Sequence, residues 1–144
     1  MTLDLETARG IIRRILDEGT TRGLKPLSVC IVDAGGHVIA FERSDGASPM
    51  RFAIAQGKAH GAVMMGIGSR ALFERAQAQP YFIQAVNALS DGALVPVPGG
   101  VLIKSGGTII GAVGVTGDTS DNDEAVAVAA ITAAGFEADT GASA

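Results

Sequence analysis

Two histidines, a lysine set among small residues and one glycine-rich loop hold most of the acid-base and ligand chemistry that this sequence offers. His37 follows the turn Asp33-Ala34-Gly35-Gly36, and His60 lies in a run of Ala, Gly and Met. Imidazole titrates near neutrality and binds metals through either ring nitrogen, so both positions are open to ligation or proton transfer. Both have a plainer reading as well, His37 as an exposed strand-start residue and His60 as a packed core group. The ammonium of Lys58 has to reach water or meet an anion, and a ligand carboxylate would serve. At Pro98-Gly99-Gly100 the bare backbone brings amides close to a ligand, where they can hold an oxyanion. Lys58 and His60 are the candidate catalytic residues. Helical positions two apart differ by about 200° in direction, so these two do not converge on one small ligand within a subunit, whereas Gln56 and Met64 share the face of His60.

Other chemistries find less support. Asp118, Asp121, Asp123 and Glu124 lack the glycine and terminal Glu of a calcium loop, and they read as residues that favour a helix start. Gly57-Lys58-Ala59 lacks the upstream glycine and the following Ser or Thr of a phosphate-binding loop. No serine sits in a nucleophile elbow, and Cys30 falls inside an apolar strand where a thiolate is disfavoured.

The elements that must position these residues follow from periodicity. Leu5, Ala8, Ile11, Ile12, Ile15 and Leu16 mark an amphipathic helix capped by Thr2 or Asp4. Residues 27–33 and 37–43 form a hairpin, and Met50 to Ile67 a helix whose line of Ala55, Ala59, Ala62 and Gly66 permits close packing. Ser69 caps a short helix through Phe73, Pro80 opens another reaching Leu89, and Ser90-Asp91-Gly92 breaks it. A second hairpin spans Val101 to Lys104 and Thr108 to Val115, with Gly111 and Gly114 leaving bare patches where a helix or a ligand passes close. Ser120 or Asp121 caps a last helix that Gly135 closes. The order predicts one α+β domain over residues 1–144, an antiparallel sheet with helices on both faces.

A chain of 144 residues suits a single core. The net charge of -4 and pI near 5.0 argue against a nucleic-acid surface or an anionic membrane surface. No run approaches a membrane span, the single cysteine makes no intramolecular disulfide, and no secretory signal is evident, so a cytoplasmic location is expected.

The segments Asp33-Ala34-Gly35-Gly36-His37-Val38-Ile39-Ala40-Phe41, Asp45-Gly46-Ala47, Gly57-Lys58-Ala59 and the block from Pro98 to Asp118, in that order, resemble the GlcG/HbpS-like haem-binding or haem-degrading domain family. The similarity spans nearly the whole chain, and the domain also resembles one attached to some corrinoid adenosyltransferases. Leu102 stands where the family pattern commonly has proline, and Thr116 where it has serine. The resemblance implies a profilin-like fold, assembly into homo-oligomers, and haem or a related tetrapyrrole as a small-molecule ligand. It further implies His60 or His37 as the iron ligand, with Met50, Met64 and Met65 as weaker alternatives, Phe52 in an apolar slot, and Lys58 or Arg51 meeting the propionates. The other function class is a cofactor-free enzyme of organic-acid or aromatic catabolism that uses Lys58, His60 and the Pro98 to Gly100 loop. A third is a structural or sensory oligomer.

Overall fold

The computed structural model describes residues 2–142. In chain order the elements are α1 (Leu5–Thr21), β1 (Ser28–Asp33), β2 (Val38–Arg43), α2 (Arg51–Met65), α3 (Ser69–Ala78), α4 (Pro80–Leu89), β3 (Gly100–Ser105), β4 (Thr108–Thr116), α5 (Ser120–Ala133) and β5 (Glu137–Asp139). The strands form one antiparallel sheet in the order β2-β1-β4-β3-β5. This is the expected α+β architecture.

Alternation along the strands splits the core in two. Val29 and Ile31 of β1, Val101 and Ile103 of β3, and Val113 and Val115 of β4 face one side, where they pack on Ile11, Ile12 and Ile15 of α1 and on Val126 and Ile131 of α5. Cys30, Val32, Leu102 and Ala112 face the other side, beneath Ala55, Ala59 and Ala62 of α2. Burial pushes the Cys30 thiol up to about 12, so it stays a neutral core group. Leu72, Ile83 and Leu94 make a smaller third cluster under α3 and α4.

The small residues of α2 and the glycines of the second hairpin have one common cause. Gly100 and Gly114 are paired across β3 and β4. A Cβ at Gly114 would lie 1.9 Å from the Ala55 carbonyl oxygen, and one at Gly100 would lie 2.3 Å from that of Lys58. The backbone of α2 therefore rests on the sheet along a strip without side chains. On its far side Gly57 and Gly61 make room for Val95 and Leu94, whose side-chain carbons lie 2.5 and 3.1 Å from where a Cβ would stand. A helix thus fills the approach at Gly114, while Leu3 lies over Gly111.

Some boundaries differ from expectation. α3 runs on to Ala78 because Leu72 anchors it in the third cluster. Ser69 is its first residue rather than its cap, and no side chain caps α3. Thr119 caps α5, accepting from the Asn122 amide, in place of Ser120 or Asp121. β5 has no counterpart in the sequence reading, since three residues are too short to show a period; it pairs with Leu102, Ile103 and Lys104 of β3.

Asp118 anchors the entry to α5. Its carboxylate accepts from the Asn122 side chain at 2.7 Å and from the amides of Lys25 and Thr119, each at 2.9 Å. These bonds, that from Asn122 foremost, lower its pKa from 3.8 to about 2. A depressed carboxylate stabilises the fold above its unfolded value and loses that contribution as pH falls through its native one. Asp118→Ala should therefore be less stable than wild type at neutral pH, with the gap closing as pH drops from 3.8 towards about 2; urea titrations across that range check it.

Candidate functional site

The candidate residues separate onto two sides of α2. On the inner side Lys58 is 2% exposed, and its ammonium donates to the Val115 carbonyl at 2.9 Å and to Asp123 Oδ2 at 3.2 Å. The other oxygen of Asp123 accepts from the Asp118 amide at 3.0 Å. Burial lowers the Lys58 pKa against the pull of Asp123, and burial raises that of Asp123 against the pull of Lys58. Each charge is costly to bury alone and is held by the other. Asp123 is thus the buried partner of Lys58, beyond the helix-start role expected of it.

The Pro98 to Gly100 loop closes over this pair. Gly99 takes φ +123, and a Cβ there would come within 2.8 Å of the Lys58 ammonium. The Gly100 amide donates to Ser69 Oγ at 2.7 Å, so its hydrogen is committed to the protein's own hydroxyl. Pro98 is buried at the edge of a pocket of about 290 Å³ that also meets Arg70 and Asp121. Arg70 there is already bound to Asp121 and Glu124.

On the outer side His60 is half-buried, with Nδ1 3.5 Å from the Gly36 carbonyl oxygen. A Cβ at Gly36 would lie 2.8 Å from the Met64 methyl and 3.0 Å from His60 Nδ1, so this glycine lets the β1–β2 turn dock on α2. One residue further along the turn, the His37 side chain is 82% exposed, with Nδ1 3.3 Å from Asp33 Oδ1. The same Asp33 oxygen accepts from the amides of His37 and Gly35, bonds that hold its carboxyl below the usual range, that from His37 foremost. Beside His37 lies an open groove of about 540 Å³ with Leu3, Ile109 and Ile110 along it. Phe52, at the other end of α2, stands edge-on to Phe41 at 4.7 Å. Arg51 donates to Thr116 Oγ1 at 2.8 Å and to Ser48 Oγ at 3.0 Å.

The fold therefore joins Lys58 to Gly99 and Gly100, and His60 to the turn that carries His37, but sets the two groups apart. The sequence places Asp123 and Ser69 at helix starts but does not reveal their roles here, because each meets its partner across a long stretch of chain, where no spacing rule applies. Among the described residues no group of three or more His, Cys, Asp or Glu side chains is placed to hold a metal ion. An exposed imidazole beside a roomy, partly apolar groove is nonetheless a donor set that suits haem iron, which needs a single protein ligand and an apolar surface.

Residues 3–132 match the family model described as haem degrading protein, HbpS-like. A solved structure of a PduOC–heme complex is 25% identical with a TM-score of 0.84, the match covering 94% of this chain and 97% of that one. A double mutant of HbpS from Streptomyces reticuli is 27% identical with a TM-score of 0.78, covering 92% of this chain and 87% of the other. A Klebsiella pneumoniae protein, ORFY, shares the fold at 23% identity, with a TM-score of 0.84 and coverage of 93% and 91%. No curated protein matches significantly. Among the described residues no helix is long and apolar enough to cross a membrane.

Proposed function

Because the chain belongs to the HbpS-like haem-degrading family, we propose that it binds haem or a related tetrapyrrole, with His37 as the iron ligand. The observation that carries this assignment is the exposed His37 imidazole at the groove of about 540 Å³. The volume is within the usual range for small-molecule sites. The two amide bonds to Asp33 fix the turn, and the carboxylate beside Nδ1 orients the ring, as partners of ligating histidines commonly do. Leu3, Ile109 and Ile110 give the macrocycle an apolar wall. His60 is a positioning residue here, since its Nδ1 faces the Gly36 carbonyl and its ring seats the turn on α2. Haem, when bound, supplies a redox-active iron; what this chain contributes is a ligand, its orientation and a surface that excludes water from one face.

Homo-oligomeric assembly and a cytoplasmic location belong to the same proposal. Tyr81 and Leu89, 69% and 86% exposed on a helix without charged residues, support the first, and the buried thiol of Cys30 suits the second.

Haemin titration of the purified apoprotein tests the reading. Wild type should give a saturable Soret shift, His37→Ala should lose most of it, and His60→Ala, which loosens the seat of the turn, should weaken binding while keeping the shift. Absence of any saturable shift rejects haem binding. A shift that survives in His37→Ala but vanishes in His60→Ala transfers ligation to His60, against the assignment made here.

A further inference from the structure

We propose that Met64 is an oxidation site whose sulfoxide releases the β1–β2 turn from α2 and so weakens ligation by His37. This deepens the function proposed above by naming a regulation of that site, and it rests on that function only where haemin is the readout.

The turn that carries His37 is seated on α2 through one bare residue and two side chains. Gly36 takes φ +83, and a Cβ there would lie 2.8 Å from the Met64 methyl and 3.0 Å from His60 Nδ1. Four residues apart, His60 and Met64 stand one above the other on α2 and together clasp the glycine. Their contacts differ in kind. His60 Nδ1 faces the Gly36 carbonyl oxygen, whereas Met64 presents only a methyl group. Met64 is nevertheless 48% exposed, so a small oxidant in solution reaches the side chain while its tip rests on the turn.

Hydrogen peroxide is the oxidant. The sulfur lone pair attacks one peroxide oxygen, an S–O bond forms as the O–O bond breaks, and the departing hydroxide takes the proton of the transferred hydroxyl. The thioether is oxidised and the peroxide is reduced to water. A soft apolar tip thus becomes a polar one that requires a hydrogen-bond donor. The turn's nearest donors are taken: the amides of Gly35 and His37 go to Asp33 Oδ1, and that of Gly36 to the Asp33 carbonyl. The sulfoxide oxygen therefore turns to water and carries the methyl off Gly36, or it takes a proton from His60 Nδ1 and removes that ring from the Gly36 carbonyl. Either path opens the clasp one residue from His37. The other sulfur atoms leave the turn alone. Met50 is 66% exposed but stands at the opposite end of α2, Met65 packs against the third cluster, and Cys30 is fully buried.

Purified apoprotein is treated with hydrogen peroxide, freed of it, and compared with untreated protein as wild type, Met64→Leu and Met50→Leu. Peptide mass spectrometry locates the added oxygen, the nuclear Overhauser contact between the His60 ring and the Gly36 α-protons reports the seat of the turn, and haemin titration reports ligation. Treated wild type and Met50→Leu should gain oxygen at Met64, lose the His60–Gly36 contact and bind haemin about tenfold more weakly. Met64→Leu, an apolar replacement of similar volume, should bind haemin like untreated wild type and stay unchanged by peroxide. Methionine sulfoxide reductases acting on both epimers should restore the treated wild type. If haemin fails to bind even untreated wild type, the haem reading falls, and the His60–Gly36 contact alone decides the release of the turn. Oxygen gained at Met50 but not at Met64, a contact that survives in oxidised wild type, a lost contact with unchanged haemin affinity, or an equal peroxide effect in Met64→Leu overturns the proposal. So does an untreated Met64→Leu protein without a Soret shift, which would make the sulfur a ligand instead of a clasp.

Discussion

Asp123→Ala should cost about 3–5 kcal/mol of folding stability, the usual penalty for removing one partner of a buried ion pair. The carboxylate is 1% exposed and Lys58 2%, so the ammonium left behind can neither reach water nor find another anion. Its one remaining contact, the Val115 carbonyl, carries only a partial charge. Lys58→Met should cost a similar amount by stranding Asp123, whose other oxygen also secures the Asp118 amide. Combining Lys58→Met with Asp123→Leu should recover much of the loss, because well-packed apolar groups of similar size often replace a buried pair without penalty. Urea denaturation of the two single variants and the double variant closes the cycle. Single substitutions that each cost under about 1 kcal/mol, the scale of a surface pair, would show that the contact is solvated and adds little.

That pair also shows where the sequence stops being informative. A lysine among Ala and Gly residues already demands water or an anion, so half of the contact was legible in α2 alone. The other half was not: Asp123 sits among acids that suit any helix start, and nothing local marks it as the one turned inward. The same division runs through the rest of the molecule. Hairpins, the amphipathic α1 and the break at Ser90-Asp91-Gly92 follow from short-range pattern, because turn chemistry and periodicity act over a few residues. The bond from the Gly100 amide to Ser69, the docking of Gly36 on His60 and the pairing of β5 with β3 depend on elements brought together by the finished core. For the site, the residue types were visible in sequence, but their division between the two sides of α2 needed the fold. The helical angle between Lys58 and His60 foreshadowed it.

The glycines give the second large effect. Gly114→Ala adds one methyl group, and its carbon would lie 1.9 Å from the Ala55 carbonyl oxygen and 2.9 Å from the Ala59 amide nitrogen. Both are backbone atoms of α2, so no side-chain rotation relieves the clash and the helix has to lift from the sheet. Lifting it opens the layer in which Ala55, Ala59 and Ala62 cover Cys30, Val32, Leu102 and Ala112. Overpacking of this kind costs about 3 kcal/mol or more where the neighbours are rigid. Gly10→Ala is the matched control: the same methyl, in the exposed middle of α1, meets nothing within 4 Å. It should stabilise by about 0.5–1 kcal/mol through helix propensity and a less flexible unfolded chain. Thermal and urea unfolding of the two variants should therefore move in opposite directions from wild type. Because α2 also carries Arg51, Lys58 and His60, Gly114→Ala should weaken haemin binding while Gly10→Ala leaves it unchanged. A Gly114→Ala protein within about 1 kcal/mol of wild type, a shift typical of an ordinary substitution, would mean that α2 does not rest on bare backbone.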